Sequence, residues 1–235
     1  GLRGVPIAAI SLDNCPAAGI LGGVPGKGHA QADRILTMGT IGIAAMSIGI
    51  GNACMEISTL YAKGRNAFGR RIGMYQDVGF KLADMFILND LGRMLALRAA
   101  WALNASEHEA LILASCAKLF ASEAVTKIAG WGMQILAGHG YLAGSDMERL
   151  YRDAKFGEIC EGTSEIQRSL IARTRFQSVS DLIDVDVLFI MARLSPRNDT
   201  DGACIFCMHD DHNVVPVQTR GDTELFAVFF AVIQD

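Results

Sequence analysis

From Asp33 to about Phe176 the chain carries helical patterning, and this constrains the fold more than any other feature. A first helix is expected to run to about Lys63, with Gly64 ending it. Small residues (Gly39, Gly42, Ala44, Ala45, Gly49) stand at close spacings along it and would let another helix approach closely. A second helix is expected over roughly Tyr75 to Asn104. Phe80, Met85, Leu88, Leu91 and Leu95 mark its apolar side, with Lys81, Asp84 and Arg93 elsewhere. A third runs from about Glu107 to Leu136 and stops at Gly138-His139-Gly140. A short helix is expected over Met147 to Asp153. The last starts at Ser164, where Ser164-Glu165-Ile166-Gln167 fits a capping box, with Ser164 as N-cap and Gln167 reaching back. Long helices with short joints predict an antiparallel bundle.

Both ends of the chain differ from this middle. Gly1 to Gly28 is rich in Gly and Pro; Pro6 to Leu12 reads as a strand and Asp13-Asn14 as a turn. In Gln177 to Asp235, Val185 to Ala192 is a continuous β-like run, and Ala203 to Met208 and Val214 to Gln218 read as further strands. The expected fold is therefore mainly α: an antiparallel helical bundle over 29–176, with a small partial β layer built from 1–28 and the tail 177–235.

With 235 residues, 51% of them hydrophobic, the chain can bury one large core or two small ones. A net charge of -4 and the lack of a basic face argue against nucleic acid as a partner. No membrane span is expected: Ile41 to Cys54 is broken by Ser47 and Asn52 and is short, and Leu225 to Ile233 is shorter. No signal peptide is evident, and the chain begins with Gly1 rather than Met, as a fragment or processed product would. The six cysteines read as reduced core thiols of an intracellular protein. Cys204, Cys207, His209 and His212 have a spacing that can bind zinc. Because the cysteines fall inside a β-like run and the pairs lack a longer loop between them, no metal is expected.

The stretch Ile159 to Arg168, ICEGTSEIQR, sets an acid beside a helix start. Unpaired N–H groups at that start suit a phosphate or pyrophosphate. Burial of Glu161 would raise its pKa toward the working pH, as a general base needs. The same residues also suit an ordinary surface Glu in a helix linker.

Three ordered motifs bear on that choice. Arg152-Asp153-Ala154-Lys155 followed by ICEGTSEIQR resembles the C-terminal signature of the acyl-CoA dehydrogenase family, with Cys160 where the family usually has Tyr. Tyr61 to Gly69, with Gln76 and Leu82-Ala83-Asp84-Met85, resembles its flavin-contacting loop and following helix. Gln134 to Tyr141 resembles its third signature.

The resemblance implies an FAD enzyme that oxidises an acyl-CoA thioester to the trans-2-enoyl-CoA, with Glu161 removing the α-proton and Gly162 letting the thioester approach. It implies flavin contacts from Thr163 and Glu165 around the pyrophosphate. Arg65, Phe68 and Gln76, with the loop Gln134 to Gly138, would reach the FAD of a neighbouring subunit. The implied assembly is a homodimer or homotetramer, with an electron-transferring flavoprotein as acceptor. The location would be the cytoplasm, or the mitochondrial matrix in a eukaryote. Arg34 resembles an arginine at the start of the substrate-lining helix. Asp33, beside it, reads as an N-cap or surface acid. Gly1 to Asn14 resembles the last strands of the family's β domain, and the tail resembles strands that normally precede them. The family's first helical domain is absent. The alternative is therefore a non-catalytic fragment or subunit of the same fold that assembles with a complete partner.

Overall fold

Helices α1 (Gly28–Gly64), α2 (Gln76–Asn104), α3 (Ala110–Leu136), the one-turn α4 (Gly138–Tyr141), α5 (Asp146–Ile159) and α6 (Ser164–Arg175) make up most of the described chain. The computed structural model describes residues 1–176, apart from Pro6, Ile7, Ile10, Leu12, Ala17, Ala18 and 106–108. The strands expected in the tail, and the four residues whose spacing could bind zinc, lie outside the described residues. So does much of the Pro6 to Leu12 segment, whose described residues Ala8, Ala9 and Ser11 are not in a strand. The described sheet is a single hairpin, β1 (Asn66–Ala67) antiparallel to β2 (Arg70–Arg71), with Asn66 opposite Arg71. Its two-residue tip needs positive φ at both positions, and Phe68 (51°) and Gly69 (82°) supply it.

Helix boundaries follow local chemistry. α1 begins at Gly28, five residues before the expected start, so Asp33 lies inside it as an exposed residue rather than at its cap. α5 extends well beyond Asp153. The Ser145 hydroxyl caps it by accepting from the Met147 N–H at 3.2 Å. Ion pairs one turn apart, Arg152–Glu148 (2.6 Å) and Lys155–Glu158 (2.5 Å), then carry its polar face to Ile159.

The expected apolar face of α2 is corrected in part. Met85 is buried and Leu88 and Leu95 pack against the core, but Phe80 and Leu91 are exposed, at 59% and 44%. The buried stripe is instead Met85, Asn89, Gly92, Ala96, Ala99 and Ala102. These positions alternate in steps of three and four, so small residues face the bundle while Phe86, Met94, Leu97 and Trp101 point outward.

α3 is the central helix and packs against α2, α5 and α6. Two core clusters flank it. One is built of Cys54, Met85, Val125, Ile128, Met147 and Leu150; the other is almost pure alanine, with Ala44, Ala96, Ala99, Ala114, Ala117 and Ala121. Close approach depends on glycine in places. A Cβ on Gly157 of α5 would come within 2.9 Å of Ser47 Oγ on α1 and 3.2 Å of Ser122 Cβ on α3. The buried thiols are Cys54 and Cys160, whereas Cys15 is exposed rather than part of a core.

α1 is also the one described helix long and apolar enough, by length and composition, to cross a membrane. The core helix of a globular protein passes the same test; α1 does so because it continues past Cys54, beyond the short apolar run. About a third of its most apolar stretch is buried within the protein, and its buried line includes Thr37, Thr40, Ser47 and Ser58.

The described residues fall into two units, 1–2 with 36–176, and 3–35. The first holds the bundle. At its edge the Leu2 N–H donates to the buried carboxylate of Asp153 on α5.

Candidate active site

Glu161 stands in the loop between α5 and α6. Cys160 ends α5, its N–H donating to Phe156 O at 3.0 Å. The next two residues both take left-handed backbone conformations, Glu161 at φ 52° and Gly162 at φ 79°. For glutamate this costs on the order of 1–3 kcal/mol, so neighbours must hold it. Lys118 Nζ, from α3, donates to the Gly162 carbonyl at 2.5 Å. Gln167 Nε2, from α6, donates to the carbonyls of Glu161 (2.8 Å) and Gly162 (3.4 Å). At Gly162 a Cβ would meet Gln167 Nε2 at 3.0 Å and Ile166 Cγ2 at 3.2 Å, on a backbone that disfavours side chains in any case.

The turn aims the Glu161 carboxylate at α1. There Gly39 makes room: a Cβ on it would lie 2.8 Å from Oε1 and 2.9 Å from Oε2. Oε2 is buried and has no hydrogen-bond partner in the protein. Burial pushes the Glu161 carboxyl up to about 7, against an opposing pull from the Lys118 ammonium. A carboxylate poised near neutral pH, with a bare oxygen, can take a proton from a weak carbon acid. Cys160 is a poor nucleophile, because burial pushes its thiol to about 11.

The cap of α6 is shifted by one residue from the expected capping box. Thr163, not Ser164, is the N-cap, and its Oγ1 accepts from the Ile166 N–H at 3.4 Å. Threonine offers the same acceptor one position earlier. Ser164 becomes the first helical residue and is buried with its hydroxyl unpartnered. Gln167 does reach back, but to carbonyls. The exposed Glu165 carboxylate accepts from its own backbone N–H and from the Thr163 hydroxyl, which hold it below the ordinary range. It therefore occupies part of the helix start that a phosphate would use, and must swing aside to admit one.

Of the remaining predicted residues, Phe68 and Gln134 meet beside the hairpin. A cleft of about 430 Å³ is lined by Ala67, Phe68, Tyr75, Val78, Gln134 and Ile135, among others. The Tyr75 hydroxyl donates to the carbonyls of Ala67 (2.9 Å) and Phe68 (3.1 Å), and the Arg70 guanidinium lies 4.0 Å over the Tyr75 ring. This fixes the hairpin while leaving Phe68 96% exposed. Arg65, Gln76 and Gly138 are exposed and do not line the cleft. Arg34 is exposed near the start of α1, in the other unit. Lys118 and Tyr75 had no site role in the sequence reading, and Gly39 entered it only as a small residue for helix approach; for Lys118 the available signal was a lone charge in the apolar run Ala117 to Phe120.

The residues present fit a polar cofactor and ligand at the first group. Glu161 Oε2, Ser164 Oγ and Gln167 Oε1 are all buried and unpartnered within one loop and helix start. Among the described residues no cluster of three His, Cys, Asp or Glu could hold a metal ion.

Comparison with known proteins agrees with these features. Residues 26–175 match the family model for the acyl-CoA dehydrogenase C-terminal domain. Over 175 residues, 74% of this chain and 46% of the relative, the chain is 46% identical to a probable acyl-CoA dehydrogenase of Bacillus subtilis, YngJ. It is 43% identical over 174 residues, 73% of this chain and 42% of the relative, to the human mitochondrial short-chain specific acyl-CoA dehydrogenase. Among solved structures, butyryl-CoA dehydrogenase from Megasphaera elsdenii superposes with a TM-score of 0.61 at 33% identity, covering 63% of this chain and 39% of that one. The chain thus spans under half the length of the relatives it matches. On the matched domain, the chain belongs to the acyl-CoA dehydrogenase family.

Proposed function

We propose that the chain carries the catalytic base of an FAD-dependent acyl-CoA dehydrogenase, forming trans-2-enoyl-CoA from an acyl-CoA thioester. One observation carries this reading: Glu161 has a buried, unpartnered carboxylate oxygen and a pKa near 7. Glu161 takes the α-proton, and its own backbone N–H helps hold the thioester oxygen as negative charge develops there. Gly162, whose lack of a side chain keeps the turn clear of Gln167 and Ile166, would lie beside the thioester. FAD, when bound, supplies the hydride acceptor. Thr163 and, once its carboxylate has swung aside, the backbone N–H of Glu165 would hold its pyrophosphate, and Arg65, Phe68, Gln76, Gln134 and Gly138 would contact the flavin of a second copy. Arg34 would contact the substrate.

Assembly with a second copy, as homodimer or homotetramer, draws support from the outward Phe86, Met94, Leu97 and Trp101 of α2. The proposed electron acceptor is an electron-transferring flavoprotein, and the proposed location the cytoplasm or mitochondrial matrix. Purified protein should be yellow and bleach on anaerobic addition of an acyl-CoA, and Glu161→Gln should keep the colour and lose the bleaching. Normal bleaching in that variant would remove Glu161 from the mechanism. A second reading, a non-catalytic helical subunit, is favoured by Phe68, a contact side chain that the described residues leave 96% exposed. Colourless protein that FAD cannot reconstitute would select this second reading.

A further inference from the structure

Lys118 is the bulkiest fully buried side chain among the described residues, and the mechanism above leaves it unused. A buried ammonium is costly unless it is paired and hydrogen-bonded. Burial accordingly lowers its pKa, and Cys160, Glu161, Glu158 and Glu165 act in the opposite direction. Its Nζ donates to one carbonyl, that of Gly162. That carbonyl lies immediately after Glu161, at the second of two consecutive left-handed residues. Gln167 grips the same carbonyl from α6. The turn is thus held from two helices, and from α3 by a charge.

We infer that Lys118 is a positioning residue for the dehydrogenation proposed above, its ammonium fixing the Glu161–Gly162 turn so that the Glu161 carboxylate lies over Gly39. The inference rests on the reading of Glu161 as base. The groups that act on this corner are Lys118 from α3, Glu158 from α5, Cys160 and Glu161 in the loop, and Glu165 from α6. α1 brings Gly39, which has no charge. Lys118 is the cation in this set and the one group that pulls the Glu161 carboxyl down against burial. Without it, Glu161 would hold its proton at neutral pH and could not accept another.

The test follows the Glu161 carboxyl in the full 235-residue chain by infrared titration, with Glu161→Gln as the subtraction control. No flavin is needed. The parent midpoint is expected near 7. In Lys118→Met, proton affinity at Glu161 should rise about tenfold or more, the usual effect of losing a close opposite charge. An unchanged midpoint in folded Lys118→Met overturns the inference. If that variant does not fold, the reciprocal measurement decides. Glu161→Gln should lower the Lys118 ammonium midpoint, read by nitrogen NMR of the side chain, because coupling between two sites is mutual. No change there overturns the inference as well. Failure of the base reading is seen separately, as bleaching that survives Glu161→Gln.

Discussion

Glu161→Gln should make the protein more stable, and only at the upper end of the pH range. The buried carboxyl titrates near 7 instead of its ordinary 4.5, because burial disfavours the charged form. A raised folded-state pKa means that folding favours the protonated acid. Below pH 4.5 the group is protonated in both folded and unfolded chains, and the glutamate carries no penalty. As pH rises from 4.5 through 7, the unfolded chain ionises freely while the folded chain resists, and stability is lost. At about 1.4 kcal/mol per tenfold change in acid constant, the full loss is about 3 kcal/mol. The pull of Lys118 is already contained in that value. Glutamine keeps the shape of the protonated acid and never ionises. Its advantage over the parent should therefore be near zero at pH 4.5 and approach about 3 kcal/mol by pH 8, or roughly 6–12 °C in Tm. Urea unfolding of both proteins at several pH values measures this directly. Titrating groups that do not feel Glu161 cancel in the difference; Lys118 and Cys160, which do, leave a smaller residual at high pH. A flat difference across this range, or one that grows toward acid, would refute the burial argument and with it the poised base.

Gly39→Ala tests the packing of that same carboxylate. The new Cβ cannot coexist with Glu161 as it stands, and the flexible carboxylate is the part that gives way. Replacing a helix-interior glycine gains about 1 kcal/mol, which offsets part of an overpacking cost of about 1–3 kcal/mol. Stability should thus change little, while a carboxylate displaced by about 1 Å lowers the anaerobic bleaching rate about 100-fold. A bleaching rate equal to the parent's would show that α1 does not set the position of the base. Phe68→Ala should leave urea unfolding within about 0.5 kcal/mol of the parent, because the side chain is 96% exposed and Tyr75 grips only backbone there. It should weaken FAD binding, measured by flavin fluorescence; undiminished affinity would remove Phe68 from the cofactor contacts.

How much of this was legible in sequence varies by element. The bundle was readable because its helices end at Gly64 and Leu136 and their periodicity is long. The stretch from Cys160 to Thr163 drew notice through its motif, not through local chemistry, since a glycine widens the backbone choices and the left-handed Glu161–Gly162 turn was not foreseen. The face of α2 was not readable. Phe80 and Leu91 are apolar, but helices approach most closely where side chains are small, so Gly92, Ala96 and Ala99 took the interior. The cap register of α6 failed because Thr163 and Ser164 offer the same hydroxyl, and only backbone geometry chooses between them. Lys118 was missed, and Gly39 was read as making room for a helix rather than for the Glu161 carboxylate, because each acts on a residue far away in sequence. A lysine in a helix carries no local sign that its ammonium will be spent on a carbonyl 44 residues later.

The alanine stripe of α2 also decides where this helix keeps its hydrophobic driving force. Short side chains bring α2 and α3 close together, but each removes little apolar surface from water, and burial stabilises in proportion to that area. The surface that would contribute most belongs to Phe86, Met94, Leu97 and Trp101, and all four lie outside the bundle. Leu82, Leu88 and Leu95 do pack against the core, but a further share of the helix's apolar surface is left for any surface that dries that outer face.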